Sequence, residues 1–255
     1  MKDQLVNDLL KYFLDEADKD NIEIPDSFVN KRTLLTGLLN QRPAKPLPEE
    51  VLREEDLLIN EENKDRKIVD INETEGKIIL INNDITALKV EAIVNPCDEH
   101  MLGCFTPNHN CIENKVHTYA GVRLRLKCAE IMRGDLLGIG KVVLTDAYNL
   151  PCKKIIQTVG PCVEKKPTDK QIHDLGNCYI NCLKLLIEKN LFSIAIPAIS
   201  TGLYGFPKIL AANIALTKID EFISKLNIEI KNKIKVVINV YDDNNLKIYE
   251  QVIAE

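Results

Sequence analysis

Six short runs rich in Ile and Val constrain this chain more than any other feature: KIILIN, AIVN, KVVLTDAY, KIIQTVG, SIAIPAI and KVVINVY, all after residue 76. Stretches with helical periodicity lie among them, near 111–133, 169–189, 207–226 and 244–254. Alternation of this kind predicts an α/β fold. Several of the runs are apolar on successive residues rather than on every second one. Their strands should therefore be buried on both faces, as in a three-layer sandwich with a parallel or mixed sheet. Ligands of such sheets sit at the carboxyl ends of the strands.

The region before residue 76 reads differently. Residues from about 3 to 18 carry an apolar stripe at Leu5, Leu9, Tyr12 and Phe13, and a second helix is expected over about 27–40. That helix follows Pro25, takes Asp26 or Ser27 as its cap, and buries Leu34, Leu35, Leu38 and Leu39. Three prolines between Arg42 and Pro48 impose an extended segment, and the acid-dense EEVLREEDLLINEENKD after them is expected to lie along the surface. We place a boundary near residue 70: a helical extension and linker over 1–70, and the main domain over 71–255. A length of 255 residues suits one domain plus an extension.

Composition narrows the function classes. A formal net charge of -5 argues against a surface that tracks nucleic-acid phosphates. No uncharged apolar run is long enough to span a bilayer. Eight cysteines are too few for a disulfide-stapled scaffold, and the first residues do not read as an export signal, so reduced thiols and a cytoplasmic setting are expected.

Chemistry concentrates in three places. Cys104, His109 and Cys111 form a C-x4-H-x-C pattern inside nine residues that also hold Gly103 and Pro107. Thiolate and imidazole favour zinc, and three protein ligands leave a fourth position for water or substrate. The alternative is two small buried hydrophobes and a loop histidine. Next, Ser200, Thr201, Gly202, Leu203, Tyr204, Gly205 and Phe206 run from the strand SIAIPAI to a helix that Pro207 can start. Such a loop can aim backbone N–H groups at a phosphate, with Tyr204 and Phe206 as a wall for a sugar; it can equally be an ordinary turn. Third, Asp84 after KIILIN can accept a hydrogen bond from an amino group such as that of adenine, or merely form a turn, while Asn95 can orient a neighbouring loop.

Taken together, NDIT at 83–86, EAIVN at 91–95, IENKVH at 112–117 with AG at 120–121, YNLPCKKIIQTVGP at 148–161 and ISTGLYGFP at 199–207 resemble a macrodomain, the ADP-ribose-binding fold. The likeness covers roughly 76–255. Where most macrodomains carry a glycine run, this chain has GCFTPNHNC, which resembles the zinc-containing macrodomains of microbial protein ADP-ribosylation systems. The N-terminal helices also look like that subfamily's extension. The resemblance implies a three-layer α/β/α fold with a mixed central sheet. It implies ADP-ribose contacts from Asp84 and Ile85 at the adenine, with Tyr241 beside it. Asp98 would face the distal ribose, Asn95, Cys111, Ile112 and Glu113 would be further ADP-ribose contacts, and the Ser200–Phe206 loop would hold the diphosphate and distal ribose. Zn2+ would lie on Cys104, His109 and Cys111.

The implied activity is hydrolysis that removes ADP-ribose from a mono-ADP-ribosylated protein, for instance a lipoyl-carrier protein modified by a partner sirtuin-type transferase. Two competing readings are a noncatalytic ADP-ribose reader and an O-acetyl-ADP-ribose deacetylase. Two positions depart from the family pattern: VNPCD places Asp98 where VNAAN has Asn, and Glu113 stands where the family has Asp. Either carboxylate could be the general base, and we rank Glu113 ahead of Asp98. Of the other candidates, Cys178 and Cys182 are expected in the core, Cys128, Cys152 and Cys162 read as fillers, Cys97 as a turn residue or spare ligand, and His117 as a hydrogen-bonding support for the loop.

Overall fold

The structure is a computed structural model that describes every residue except Asp20 and Glu255. Three helices open the chain: α1 (Lys2–Glu16), α2 (Phe28–Gln41) and α3 (Glu49–Asn63). Ser27 caps α2, its side chain accepting the Asn30 N–H, as the position after Pro25 predicts. The acid-dense segment, expected along the surface, is helical. It is α3, with Val51, Leu52, Leu58 and Ile59 buried on one face and Glu49 and Glu50 in the first turn, where carboxylates favour the positive helix end. These helices share a hydrophobic cluster that includes Leu9, Leu10, Phe13, Leu35, Leu38 and Leu58.

Beyond them lie β1 (Val69–Asp70), β2 (Ile78–Asn82), β3 (Leu88–Lys89), β4 (Ala92–Pro96), α4 (Ile112–Ala120), α5 (Val122–Met132), β5 (Val142–Asp146) and β6 (Lys154–Thr158). They are followed by α6 (Asp169–Glu188), β7 (Ser193–Pro197), α7 (Lys208–Ser224), α8 (Ile228–Lys233), β8 (Lys235–Val240) and α9 (Asp243–Ala254). All six Ile/Val runs are strands of one sheet in the order β2-β8-β7-β4-β6-β5, while β1 and β3 pair separately. Every pairing in the large sheet is parallel except β5 with β6, so the sheet is mixed.

Successive strand residues serve opposite cores. Ala92, Val94, Ile194, Ile196, Val236 and Ile238 join α6, α7 and α9 in one cluster. Ile93, Ala195 and Val237 join α4 and α5 in the other. Burial of both faces is why these strands read as continuous apolar runs. Helices thus cover both faces, in three layers. The helical stretch at 111–133 is broken at Gly121, whose φ of 90 falls in the left-handed region, and so becomes α4 and α5. Cys178 and Cys182 are core residues, as expected. Cys162 is not a filler but an exposed thiol. Among the described residues no helix is long and apolar enough to cross a membrane.

Candidate active site

The carboxyl ends of β2, β4, β7 and β8 open into a cleft of about 960 Å³. Neighbouring strands contribute in sheet order: Asp84 and Ile85 after β2, Tyr241 after β8, the Ser200–Tyr204 loop after β7, and Asp98 with the cysteine-bearing loop after β4. Parallel strands deliver their loops to one end of the sheet, which is why residues far apart in sequence converge here.

At the β2 end, Asp84 is a turn former. Its Oδ1 takes hydrogen bonds from the Thr86 N–H at 2.9 Å and from Thr86 Oγ1 at 2.6 Å, closing a short 3-10 turn over Ile85–Ala87. Its Oδ2 lies 3.5 Å from Arg66 Nη2 and 4.0 Å from Lys115 Nζ. Lys115 in turn sits 3.9 Å above the Tyr241 ring. Tyr241 is 58% exposed, so one ring face stays available to stack on a ligand.

After β7, Ser200 adopts φ 65 and the loop turns back on itself through Gly205 N–H to Gly202 O at 3.0 Å and Phe206 N–H to Ser200 O at 2.9 Å. Gly205 has φ 65, and a Cβ there would stand 2.5 Å from the Val163 carbonyl oxygen, so only glycine fits. The N–H groups of Gly202, Leu203 and Tyr204 bond to no other described residue. They are free donors in a loop that ends just before α7, the arrangement that binds anions.

After β4, the side chains of Cys104, His109 and Cys111 gather so that their ligand atoms all lie within 4.8 Å of one another, with Cys104 Sγ 3.5 Å from His109 Nδ1. Cys111 is also the N-cap of α4: its Sγ accepts the Asn114 N–H at 3.4 Å. Burial, followed by the neighbouring Cys104, pushes the Cys111 thiol up to about 12, so a metal that binds it as thiolate would displace the thiol proton to solvent. Two sulfurs and one imidazole suit a borderline-soft divalent ion.

The sequence pattern described as Macro domain matches residues 94–215. A Protein-ADP-ribose hydrolase of Staphylococcus aureus (strain MRSA252) is 40% identical over 253 residues, which cover 97% of this chain and 92% of that protein. The chain belongs to the macrodomain family. A Protein-ADP-ribose hydrolase of Treponema medium is 36% identical over 256 residues, covering 96% of this chain and 97% of its own length. Among solved structures, a variant of the Oceanobacillus iheyensis macrodomain with ADPR aligns at a TM-score of 0.62 and 33% identity, covering 69% of this chain and 90% of that one. This macrodomain protein is a hydrolase, as the likeness to those enzymes shows.

Within the macrodomain cleft the two candidate carboxylates differ. Asp98 Oδ1 is engaged by the N–H groups of His100 at 2.8 Å and Met101 at 3.1 Å, so it holds the turn after β4. Glu113, in the first turn of α4, lines the cleft with its Oε1 enclosed and unpartnered among the described residues. Burial first, and the Asp98 charge second, push its carboxyl up to about 8. Ile112 also lines the cleft.

Three expected site residues lie elsewhere. Phe206 is 1% exposed inside the core under α6 and α7, so it is no wall for a sugar. Asn95 is buried within β4, where its Nδ2 donates to Gln157 Oε1 at 2.7 Å across to β6. Gly205 shapes the loop without lining the cleft. His117 supports the Gly103–Cys111 loop by packing rather than by a hydrogen bond: both ring nitrogens lack partners among the described residues, and a Cβ on Gly103 would come within 2.9 Å of its ring. Cys97 lines the cleft floor but is not in the Cys104–His109–Cys111 group, and its Sγ donates to the Thr158 carbonyl at 3.5 Å. The sequence reading missed Lys115, although its place one turn into α4 beside Glu113 put it on the same helix end.

Proposed function

We infer that this protein removes ADP-ribose from mono-ADP-ribosylated protein and that zinc takes part. The observation that carries the reading is one cleft that joins a nucleotide-sized groove with free loop N–H groups to a convergent Cys–His–Cys cluster. With Zn–S near 2.3 Å and Zn–N near 2.0–2.1 Å, tetrahedral zinc needs an S···N separation of about 3.6 Å. The 3.5 Å between Cys104 Sγ and His109 Nδ1 fits that requirement. Relatives aligned over nearly the whole chain are named Protein-ADP-ribose hydrolase.

The chain's residues then divide the work. Asp84 accepts the adenine amino group, Ile85 packs against the base and Tyr241 stacks beside it. Gly202, Leu203 and Tyr204 donate N–H groups to the diphosphate, while Ser200 and Thr201 shape the bend. Cys104, His109 and Cys111 would hold the zinc, with Ile112 lining the cleft beside them, and zinc bound there would supply Lewis acidity toward a ribose oxygen. Water adds to the anomeric carbon as the bond to the protein side chain breaks, and the proton of that water passes through Glu113 Oε1 to the leaving group. Asp98, already held by two N–H groups, positions the turn beside it.

Residues 1–70 are read as an extension of a catalytic unit over 71–255. The lipoyl-carrier substrate, the sirtuin-type partner and the cytoplasmic setting complete the reading, and the eight unpaired cysteines suit a reducing compartment. The test is incubation of the purified protein with an ADP-ribosylated lipoyl-carrier protein, with and without chelator, while following released ADP-ribose. Release that stops with chelator or with Cys104→Ala is the expected result. Retained ADP-ribose binding without release from the unchelated wild type would overturn the hydrolase reading in favour of a reader.

A further inference from the structure

We propose that Asn40, which belongs to α2 in the N-terminal helices, is a positioning residue for the metal loop, so that those helices are a working part of the active site. The proposal rests on reading residues 104–111 as a metal site, and goes beyond it by assigning who holds that loop. Asn40 and Asn114 lie 74 positions apart in sequence, and each is only 3% exposed. Their amides face each other: Asn40 Nδ2 donates to Asn114 Oδ1 at 2.6 Å, and Asn114 Nδ2 donates back to Asn40 Oδ1 at 3.1 Å. From this pair two bonds reach the loop. Asn40 Oδ1 accepts the Asn108 N–H at 2.9 Å, and Asn114 Nδ2 donates to the His109 carbonyl at 2.9 Å.

The bonded residues are the ligand His109 and its neighbour Asn108, which holds φ 53 in the left-handed region. Asn enters that region more readily than most side chains, so the bend is suited to this residue. Gly37 of α2 lets helix and loop come this close: a Cβ at that position would stand 3.1 Å from Asn108 Nδ2. The loop's entry is tied to the same helix. Arg125 Nε donates to the Leu102 carbonyl at 2.6 Å, while its Nη1 donates to the Leu39 carbonyl at 2.6 Å near the C-terminal end of α2. Its guanidinium lies 4.8 Å from the Phe105 ring centre. The segment from Leu102 to His109 is therefore strung between two anchors, both bonded to α2. Loss of the Asn40 amide frees the crest of the loop, and the cation must then order His109 against Cys104 and Cys111 at the expense of its own affinity.

The experiment compares the full-length wild type with Asn40→Ala and, as control, Arg123→Ala. Arg123 bonds Glu49 and Asp56 of α3, so its removal weakens the same helix–domain junction away from the loop. Zinc affinity is read by chelator competition, and the melting point of metal-free protein is read alongside. Asn40→Ala is expected to lower zinc affinity about tenfold or more, with Arg123→Ala near the wild type. Should Asn40→Ala not be recovered folded, Asn40→Ser is read in the same way. Affinity within about twofold of wild type in the Asn40 variant, or an equal loss in both variants, overturns the proposal. A wild type that takes up no zinc would instead defeat the metal reading, and the clamp with it.

Discussion

Single residues decide whether the cleft keeps its shape, and Gly205 is the sharpest case. Its backbone lies in the left-handed region and its missing Cβ leaves room for the Val163 carbonyl. Gly205→Ala should cost about 1–3 kcal/mol of stability and weaken ADP-ribose binding, because the loop must move to relieve the contact. Thermal melting and calorimetric titration measure the two effects separately; unchanged values for both would contradict this account. Asp84 is a turn former through one oxygen, while its other oxygen lies near Arg66 and Lys115. Phe206 marks the opposite outcome. Its place in a glycine-bearing loop suggested contact with ligand, yet its apolar ring found a core to enter, and no local pattern separates those fates.

Among the elements, the junction of α3 with α5 carries a testable pH dependence. Glu55 of α3 is buried, and its Oε2 accepts the Val122 N–H at 2.9 Å at the start of α5. Burial raises its carboxyl from 4.5 to about 7. Folding therefore favours the protonated form, so stability is greatest near the lower value and falls as pH rises from about 4.5 through about 7. The full penalty above that window is about 3 kcal/mol. Glu55→Gln keeps an acceptor without the charge, so its melting point should exceed that of the wild type at pH about 8 and converge with it near pH about 5. A constant difference across that range would show that Glu55 does not titrate there. The central strands were legible in sequence because both of their faces are buried and the apolar residues run together. Helix α3 carried its own signal in Pro48 before two glutamates, with Val51, Leu52, Leu58 and Ile59 at helical spacing, but the density of acid masked it. The cluster of Cys104, His109 and Cys111 was visible from spacing alone, whereas its support by Asn40 was not, since polar pairing across 74 positions leaves no periodic trace.

For the molecule as a whole, the N-terminal segment and the α/β unit are joined by polar bonds at both ends of the cleft. Asn40 of α2 reaches the cysteine-bearing loop, and Arg66, just after α3, donates to Thr86 Oγ1 at 2.6 Å beside Asp84. A metal that binds only the folded chain stabilises it by mass action, about 2.7 kcal/mol at a hundred times its dissociation constant. Removing it from metal-loaded protein should lower the melting midpoint by about 5–10 °C for a chain of this size. Scanning calorimetry before and after dialysis against chelator checks this, and no shift would mean that the cysteine loop holds no structurally coupled ion. Lys115 is the one Lys or Arg side chain among the described residues that line the cleft, and it already faces Asp84 and Tyr241. On the proposed reading, a dianion seated on the Gly202–Tyr204 loop would be gripped by peptide dipoles, with few bound ions to expel on arrival. Raising ionic strength should barely loosen that grip, in contrast to proteins that seize phosphate with rows of lysine.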